Sequence, residues 1–256
     1  PTREFFVNML VRDILLKQAI IELIDNSIDG ARTIKKDNDF TGLKIAVDFD
    51  GDSFCIRDNC GGIPLDVAQE YAFRFGRPKE KETGNNETTG IFGIGMKRAL
   101  FKLGDYFEIK SKTVTTSFEV KLDVEQWENE ESNNWDFPFF SYLENLCNSL
   151  ESTGTTITVS RLRKEISADL KSRDFEKELI EHIQRRVGLD IDNGIIIEVT
   201  VKPLTFRMEK SANYPYHLLR MIYSFYIYAG TASFGGSHPN AFNFFKYAWI
   251  FRSALN

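Results

Sequence analysis

At 256 residues, 42% apolar and 27% charged, the chain has the composition of an ordinary globular protein, long enough for one large domain or for one domain and the start of another. A net charge of -5 argues against nucleic-acid binding as the dominant surface property, leaving room for a local basic patch, and no apolar run is long enough to span a bilayer. The three cysteines, Cys55, Cys60 and Cys147, have no metal-ligand spacing and their odd number suits a reducing compartment; Pro1-Thr2-Arg3-Glu4 carries no signal-peptide pattern, so a cytoplasmic location is expected.

A mixed segment over 4–12 leads into a helix predicted over about 14–35, where apolar residues at 20, 21, 23, 24, 28 and 31 form a wide stripe. Glu22, Asn26 and Asp29 fall at i, i+4 and i+7 and share a different face. Such a row is either a solvated helix surface or a set of groups meant for a ligand, because burying it unpartnered is costly. Residues 43–49 alternate like a strand, Asp50-Gly51-Asp52 turns, and 53–57 returns as a second strand. That strand runs directly into Asp58-Asn59-Cys60-Gly61-Gly62-Ile63-Pro64. A short helix is predicted from Leu65 to about Phe75, with Pro64 near its start.

Between Pro78 and Gly90 there is no apolar residue, and a loop of this length is either disordered or kept for a purpose. Glycines at 90, 93 and 95 then lead into a helix that Gly104 can end. Strands are predicted at 106–111 and 116–122; 125–152, rich in Asn, Glu and aromatics, reads as an irregular insertion. A strand follows at 154–160, an amphipathic helix at 174–187 and a last clear strand at 194–201. From Asn213 onward there is no Asp or Glu, and aromatic residues crowd the stretch. It is either a membrane-surface or partner-binding segment or, the preferred reading, the core of a further domain cut short. The expected division is 1–205 for the main domain and 206–256 for this aromatic-rich segment.

Three further patterns carry chemistry. An Asp at the end of a strand followed by two glycines lets a flat ligand approach the backbone closely while the carboxylate accepts from an exocyclic amine. Glycines that open a helix leave backbone N–H groups and a positive dipole end, which suit phosphate. Gly154-Thr155 opening a strand is a weak signal alone. The four segments in this order form a strong one.

That order resembles the GHKL superfamily: gyrase B-type topoisomerases, the ninety-kilodalton heat-shock chaperones, histidine kinases and MutL-type mismatch-repair proteins. Glu22-Leu-Ile-Asp25-Asn26-Ser-Ile-Asp29-Gly-Ala looks like the family's first motif, Asp58 to Ile63 like the second, Gly90 to Lys97 like the third and Gly154-Thr155 like the fourth, over about residues 4–205. Asp-Asn-Cys-Gly-Gly-Ile and Gly-Ile-Phe-Gly-Ile-Gly-Met-Lys are similar to the prokaryotic chaperone-like and MORC-like branch.

The resemblance implies a Bergerat-type α/β two-layer sandwich, a mixed and mostly antiparallel sheet with helices on one face, and ATP between the helices and a lid at 76–95. It implies an ATPase that takes ATP and Mg²⁺ and whose slow hydrolysis drives a conformational or dimerisation switch, in a chaperone-like or MORC/MutL-like setting. Glu22 would be the general base, Asn26 would hold Mg²⁺, and Asp58 would read the adenine amine with Thr155 beside it. Gly62 and Ile63 would line the base. Gly93, Gly95 and Lys97 would contact the phosphates, with Gly90, Ile94 and Met96 completing the cofactor-binding set. Asp29 would order the helix or contact ribose. Implied partners are ATP or ADP and an ATP-dependent second copy; the client, protein or nucleic acid, is not legible. The rival readings are a histidine-kinase catalytic domain, disfavoured by Glu22 and by the lack of a phospho-accepting histidine helix, and a nucleotide-binding module that does not hydrolyse. One departure stands out: Cys60 takes the place of the second motif's first glycine, and is expected to lie beside the base and be partly accessible when the site is empty.

Overall fold

The computed structural model of the chain describes residues 2–75, 94–132, 134–201, 204–209 and 222–225. The backbone of 204, 205 and 222–225 is described without their side chains. The chain divides into a first unit, Pro1–Phe225, and a second, Tyr226–Asn256, which lies outside the described residues; of the aromatic stretch from Asn213 onward only 222–225 is described.

Alternation decides the architecture. In β1 (Lys44–Phe49) Ile45, Val47 and Phe49 are buried and the residues between them point the other way. The same period of two runs through β2 (Ser53–Asp58), β3 (Gly104–Lys112), β4 (Ser117–Asp123) and β6 (Gly154–Leu162). One face of the sheet therefore requires an apolar cover. The other carries charges that pair across strands, such as Lys44 with Glu198 at 2.6 Å and Lys110 with Glu119 at 3.3 Å.

The strands form one sheet in the order β5-β4-β3-β6-β2-β1-β7-β8-β9, where β5 is Phe139–Leu143, β7 Ile196–Val201, β8 Leu204–Met208 and β9 Ile222–Phe225. Every pairing is antiparallel except β1 with β7. This is the α/β two-layer sandwich the sequence led one to expect.

The cover is centred on α2 (Leu16–Ile34), whose Ala19, Ile20, Leu23, Ile24, Ile28 and Ala31 are almost wholly buried. Burying each of its Ile and Leu side chains contributes about 1.5–3 kcal/mol. Beside it lie α4 (Ile94–Leu103) and α7 (Arg173–Asp192), the latter kinked at Val187. Two ion pairs fasten α7 to α2: Arg186 to Asp25 at 3.0 Å and Arg32 to Asp190 at 2.8 Å.

Several expectations are revised. The mixed segment near the start is a helix, α1 (Arg3–Val11), capped by the Thr2 hydroxyl, which accepts from Phe5 N at 3.2 Å. The helix predicted from Leu65 is α3 (Leu65–Val67), continued by a π-helical turn at Ala68–Ala72. The stretch 125–152 is not wholly irregular: α5 (Val124–Glu128) and β5 lie within it, and β5 extends the sheet. Its aromatics explain the placement. Trp127 and Phe137 pack with Phe73, Phe75, Phe101 and Phe107 in stacked, edge-to-face and tilted pairs. A short helix, α6 (Lys164–Leu170), precedes α7, and β8 straddles the expected division at 205.

Arg3 joins α1 to this aromatic body. Its guanidinium, almost fully buried, donates to the carbonyls of Trp127, Ser132 (2.7 Å) and Asn134 (2.7 Å), pairs with Glu130 at 3.0 Å and stacks on the Trp127 ring.

Candidate functional site

The register of three central strands brings the site together. In the β2–β6 ladder Arg57 pairs with Thr156, so Asp58 ends β2 beside the start of β6. In the β3–β6 ladder Ser111 pairs with Thr155. Asp58, Thr155 and Ser111 thus meet at one end of the sheet, beneath α2.

Asp58 is the focus. Its Oδ1 accepts from the backbone N–H of Cys60 at 2.9 Å and of Thr155 at 3.1 Å, and its Oδ2 accepts from the Ser27 hydroxyl at 2.8 Å. Burial pushes this carboxyl above its ordinary value, and the bonds from Cys60, Ser27 and Thr155 pull the other way. A carboxylate this deep, gripped on both oxygens, has a fixed direction. It faces a cavity lined by Asn26, Gly62, Ile63, Met96 and Thr155, with Leu23 and Ile157 among its apolar walls.

The loop after Asp58 is shaped by two glycines. Gly61 and Gly62 have φ of +91° and +74°, in the left-handed region that favours glycine. Because those two positions carry the turn, Cys60 requires no positive φ, and the departure from the family motif is accommodated without backbone strain. Ile63 is fixed from its other side, its N–H donating to Ser111 Oγ at 2.7 Å; the same hydroxyl lies 3.3 Å from Thr155 Oγ1.

Cys60 itself overturns the expected accessibility. It is buried, and both its burial and the charge of Asp58 push the thiol up. Its backbone carbonyl lies so near Gly30 that a methyl group added there would sit 2.6 Å from the oxygen. Two results are therefore expected. Cys60 should resist alkylation in the native protein with or without a ligand, as read by peptide mass spectrometry, while exposed Cys147 reacts. Gly30→Ala should destabilise the fold by about 1–3 kcal/mol in denaturant titration, because α2 must lift off the loop; unchanged stability would contradict that approach.

The remaining site residues are placed as follows. Asn26 lines the cavity, and its Nδ2 is buried with no hydrogen-bond partner, a polar atom the fold leaves unsatisfied. Glu22, one turn earlier on α2 and exposed, reaches the start of α4: a methyl group on Gly95 would collide with its Oε2. Ile94, the first residue of α4, is exposed, whereas Met96 is buried against the cavity. Asp29 does not line the cavity. It pairs with Arg32 at 3.1 Å on the side of α2 that meets α7, and burial raises its carboxyl while Arg32 lowers it. Lys97 is likewise turned away from the cavity, its ammonium bonded to the carbonyls of Tyr71 and Arg74. Gly90 and Gly93 lie outside the described residues, as does the expected lid apart from Ile94 and Gly95.

Two side chains missing from the sequence reading complete the site, Ser27 and Ser111. Ser27 had a signal: it lies on the apolar stripe of α2 among Leu23, Ile24 and Ile28, where a hydroxyl requires a partner. Ser111 had none, since an alternating strand tolerates a serine at any inward position.

No three His, Cys, Asp or Glu side chains converge on a metal position among the described residues. The one neutral amide in the cavity lining is that of Asn26, and a hard ion that arrives with its own oxygen ligands would take its Oδ1, not the buried Nδ2.

A family model described as "Histidine kinase-, DNA gyrase B-, and HSP90-like ATPase" matches residues 14–155. Among solved structures, one described as "Crystal Structure of N terminal domain of a DNA repair protein" is similar, with 18% identity and a TM-score of 0.44 over 85% of this chain. The match spans 55% of that protein's chain. No curated protein matches in sequence.

Proposed function

Because the chain belongs to the histidine kinase-, DNA gyrase B- and HSP90-like ATPase family, we propose that it binds ATP with Mg²⁺ in the cavity beneath α2 and hydrolyses it slowly. The observation that carries this reading is the buried, doubly anchored carboxylate of Asp58 facing that cavity. In this reading its outward lone pairs accept from the exocyclic amine of adenine, and Gly62 lets the base lie against the backbone. Ile63, Met96 and Ile157 supply apolar contact to the ring faces.

Asn26 offers its amide oxygen to Mg²⁺, which when bound neutralises phosphate charge. Gly95, without a Cβ, opens the first turn of α4 to the phosphate end of the nucleotide. Glu22, exposed at that same turn, orients the attacking water and takes its proton. The turnover is proposed to drive a conformational or dimerisation cycle of a chaperone-like or MORC/MutL-like kind in the cytoplasm.

Incubation with γ-labelled ATP and Mg²⁺ tests the reaction. Free labelled phosphate is expected. Label retained on the protein would indicate a kinase, and intact ATP would indicate a binding module.

A further inference from the structure

Lys97 is the third motif's only cation, and the fold spends it in an unusual way. The side chain starts in the first turn of α4 and is almost wholly buried, 2% exposed. Its Nζ donates to the Arg74 carbonyl at 2.7 Å and to the Tyr71 carbonyl at 3.1 Å, and lies 4.9 Å from the centre of the Phe75 ring. Tyr71 lies in the last turn of the π-helical segment Ala68–Ala72, and Arg74 two residues beyond it. A buried ammonium there supplies charge-assisted bonds, and the ring face adds a cation–π contact.

The wall it grips is rigid. Phe75 packs edge-on against Phe6, Trp135 and Phe137 and tilted against Trp127. Phe73, in the same turn, packs against Phe118, Phe137 and Phe139. The residue two places before Lys97 is Gly95, the one pressed against the Glu22 carboxylate.

We propose that Lys97 is a positioning residue rather than a phosphate ligand: its ammonium clasps the first turn of α4 to the Tyr71–Phe75 backbone, and so holds Gly95 in register with Glu22. Only the consequence for turnover rests on the ATPase reading; the clasp itself does not. The ammonium is already desolvated and already bonded within the fold. Burial accordingly pulls the Lys97 ammonium down to about 8, with Asp136 the nearby charge that opposes the shift.

The test uses the full chain and its Lys97→Met and Lys97→Arg variants. Nucleotide-free amide exchange of peptides covering residues 71–75 should rise by about tenfold or more in Lys97→Met and recover at least in part in Lys97→Arg. Turnover should fall by about tenfold or more in Lys97→Met, while the ratio of ADP to adenosine affinity stays within about twofold of the parent chain. A ratio that collapses toward one, with exchange unchanged, would make Lys97 a phosphate ligand and overturn the proposal. Should Lys97→Met not fold, the parent chain with ¹³C-labelled lysine decides the matter: one lysine titrating near 8 supports the clasp, and every lysine at its ordinary value near 10.5 contradicts it. If the parent chain shows no turnover, the ATPase reading fails, while the exchange and titration results still judge the clasp.

Discussion

Glu22→Gln is expected to lower ATP turnover by about 10²–10⁴-fold while ATP affinity stays within about threefold of the parent chain. The substitution preserves shape and the contact with Gly95, and removes only the ability to take a proton. Glu22 is exposed, so no buried network depends on its charge and the fold should melt at the same temperature. Single-turnover kinetics and calorimetry on one preparation separate the two effects. An equal loss of affinity and turnover would make Glu22 a binding or structural residue.

Asp58→Asn is expected to weaken adenine-nucleotide affinity by roughly ten- to a hundredfold, since a hydrogen bond to a charged group is worth about 1.5–3 kcal/mol. The local geometry makes this variant informative. Its amide oxygen can keep the bonds from Cys60 N and Thr155 N, and its Nδ2 can donate to Ser27 Oγ, which already lies 3.4 Å from the Leu23 carbonyl and can donate there. The fold thus retains its hydrogen bonds, while the second N–H of the amide points into the cavity and opposes the adenine amine.

Stability should move the other way. Burial raises the folded-state value of Asp58 above 3.8, so between 3.8 and that raised value the native chain holds a proton the unfolded chain has lost. The stabilisation from this group is complete below 3.8 and is lost as pH rises through the folded value. Asp58→Asn carries no group that burial discourages from ionising, so denaturant titration at pH 7 should show the variant at least as stable as the parent. A clear loss of stability would mean that the ionised carboxylate organises the loop.

The legible parts of the fold were those set by local pattern. The apolar stripe of α2, the alternation of β1 to β4 and β6, and the strand-end Asp58 with its glycines are each written within a dozen residues. What escaped was decided by distant partners. β5 reads as irregular because Phe140, Tyr142 and Leu143 are exposed, so no alternation marks it; its place follows from pairing with β4 and from Phe139 meeting Phe73 and Phe118. The kink in α7 leaves no proline or glycine at Val187 to announce it, although Gly188 follows.

The site divides in the same way. Asp58, Asn26, Gly62, Ile63, Met96 and Thr155 share the cavity. Asp29 and Lys97 were assigned by their place in a motif, but a side chain of that length reaches whichever partner the packing offers first. For Asp29 that is Arg32, beside α7; for Lys97 it is the end of the π-helical turn. Cys60 was expected to be accessible because its position borders the base; it does line the cavity with Gly62, but it is buried there, 2% exposed, and packed into the core.

The central claim, that the cavity at Asp58 is a nucleotide site, is tested most directly by thermal unfolding of the parent chain and Asp58→Ala in parallel, each with and without saturating MgADP. Ligand at about a hundred times its dissociation constant stabilises a native state by about 2.7 kcal/mol, which for a domain of this size raises the midpoint by roughly 5–10 °C. The account predicts that rise for the parent chain and none for Asp58→Ala. A parent midpoint that does not move, or an equal rise in both proteins, would contradict it.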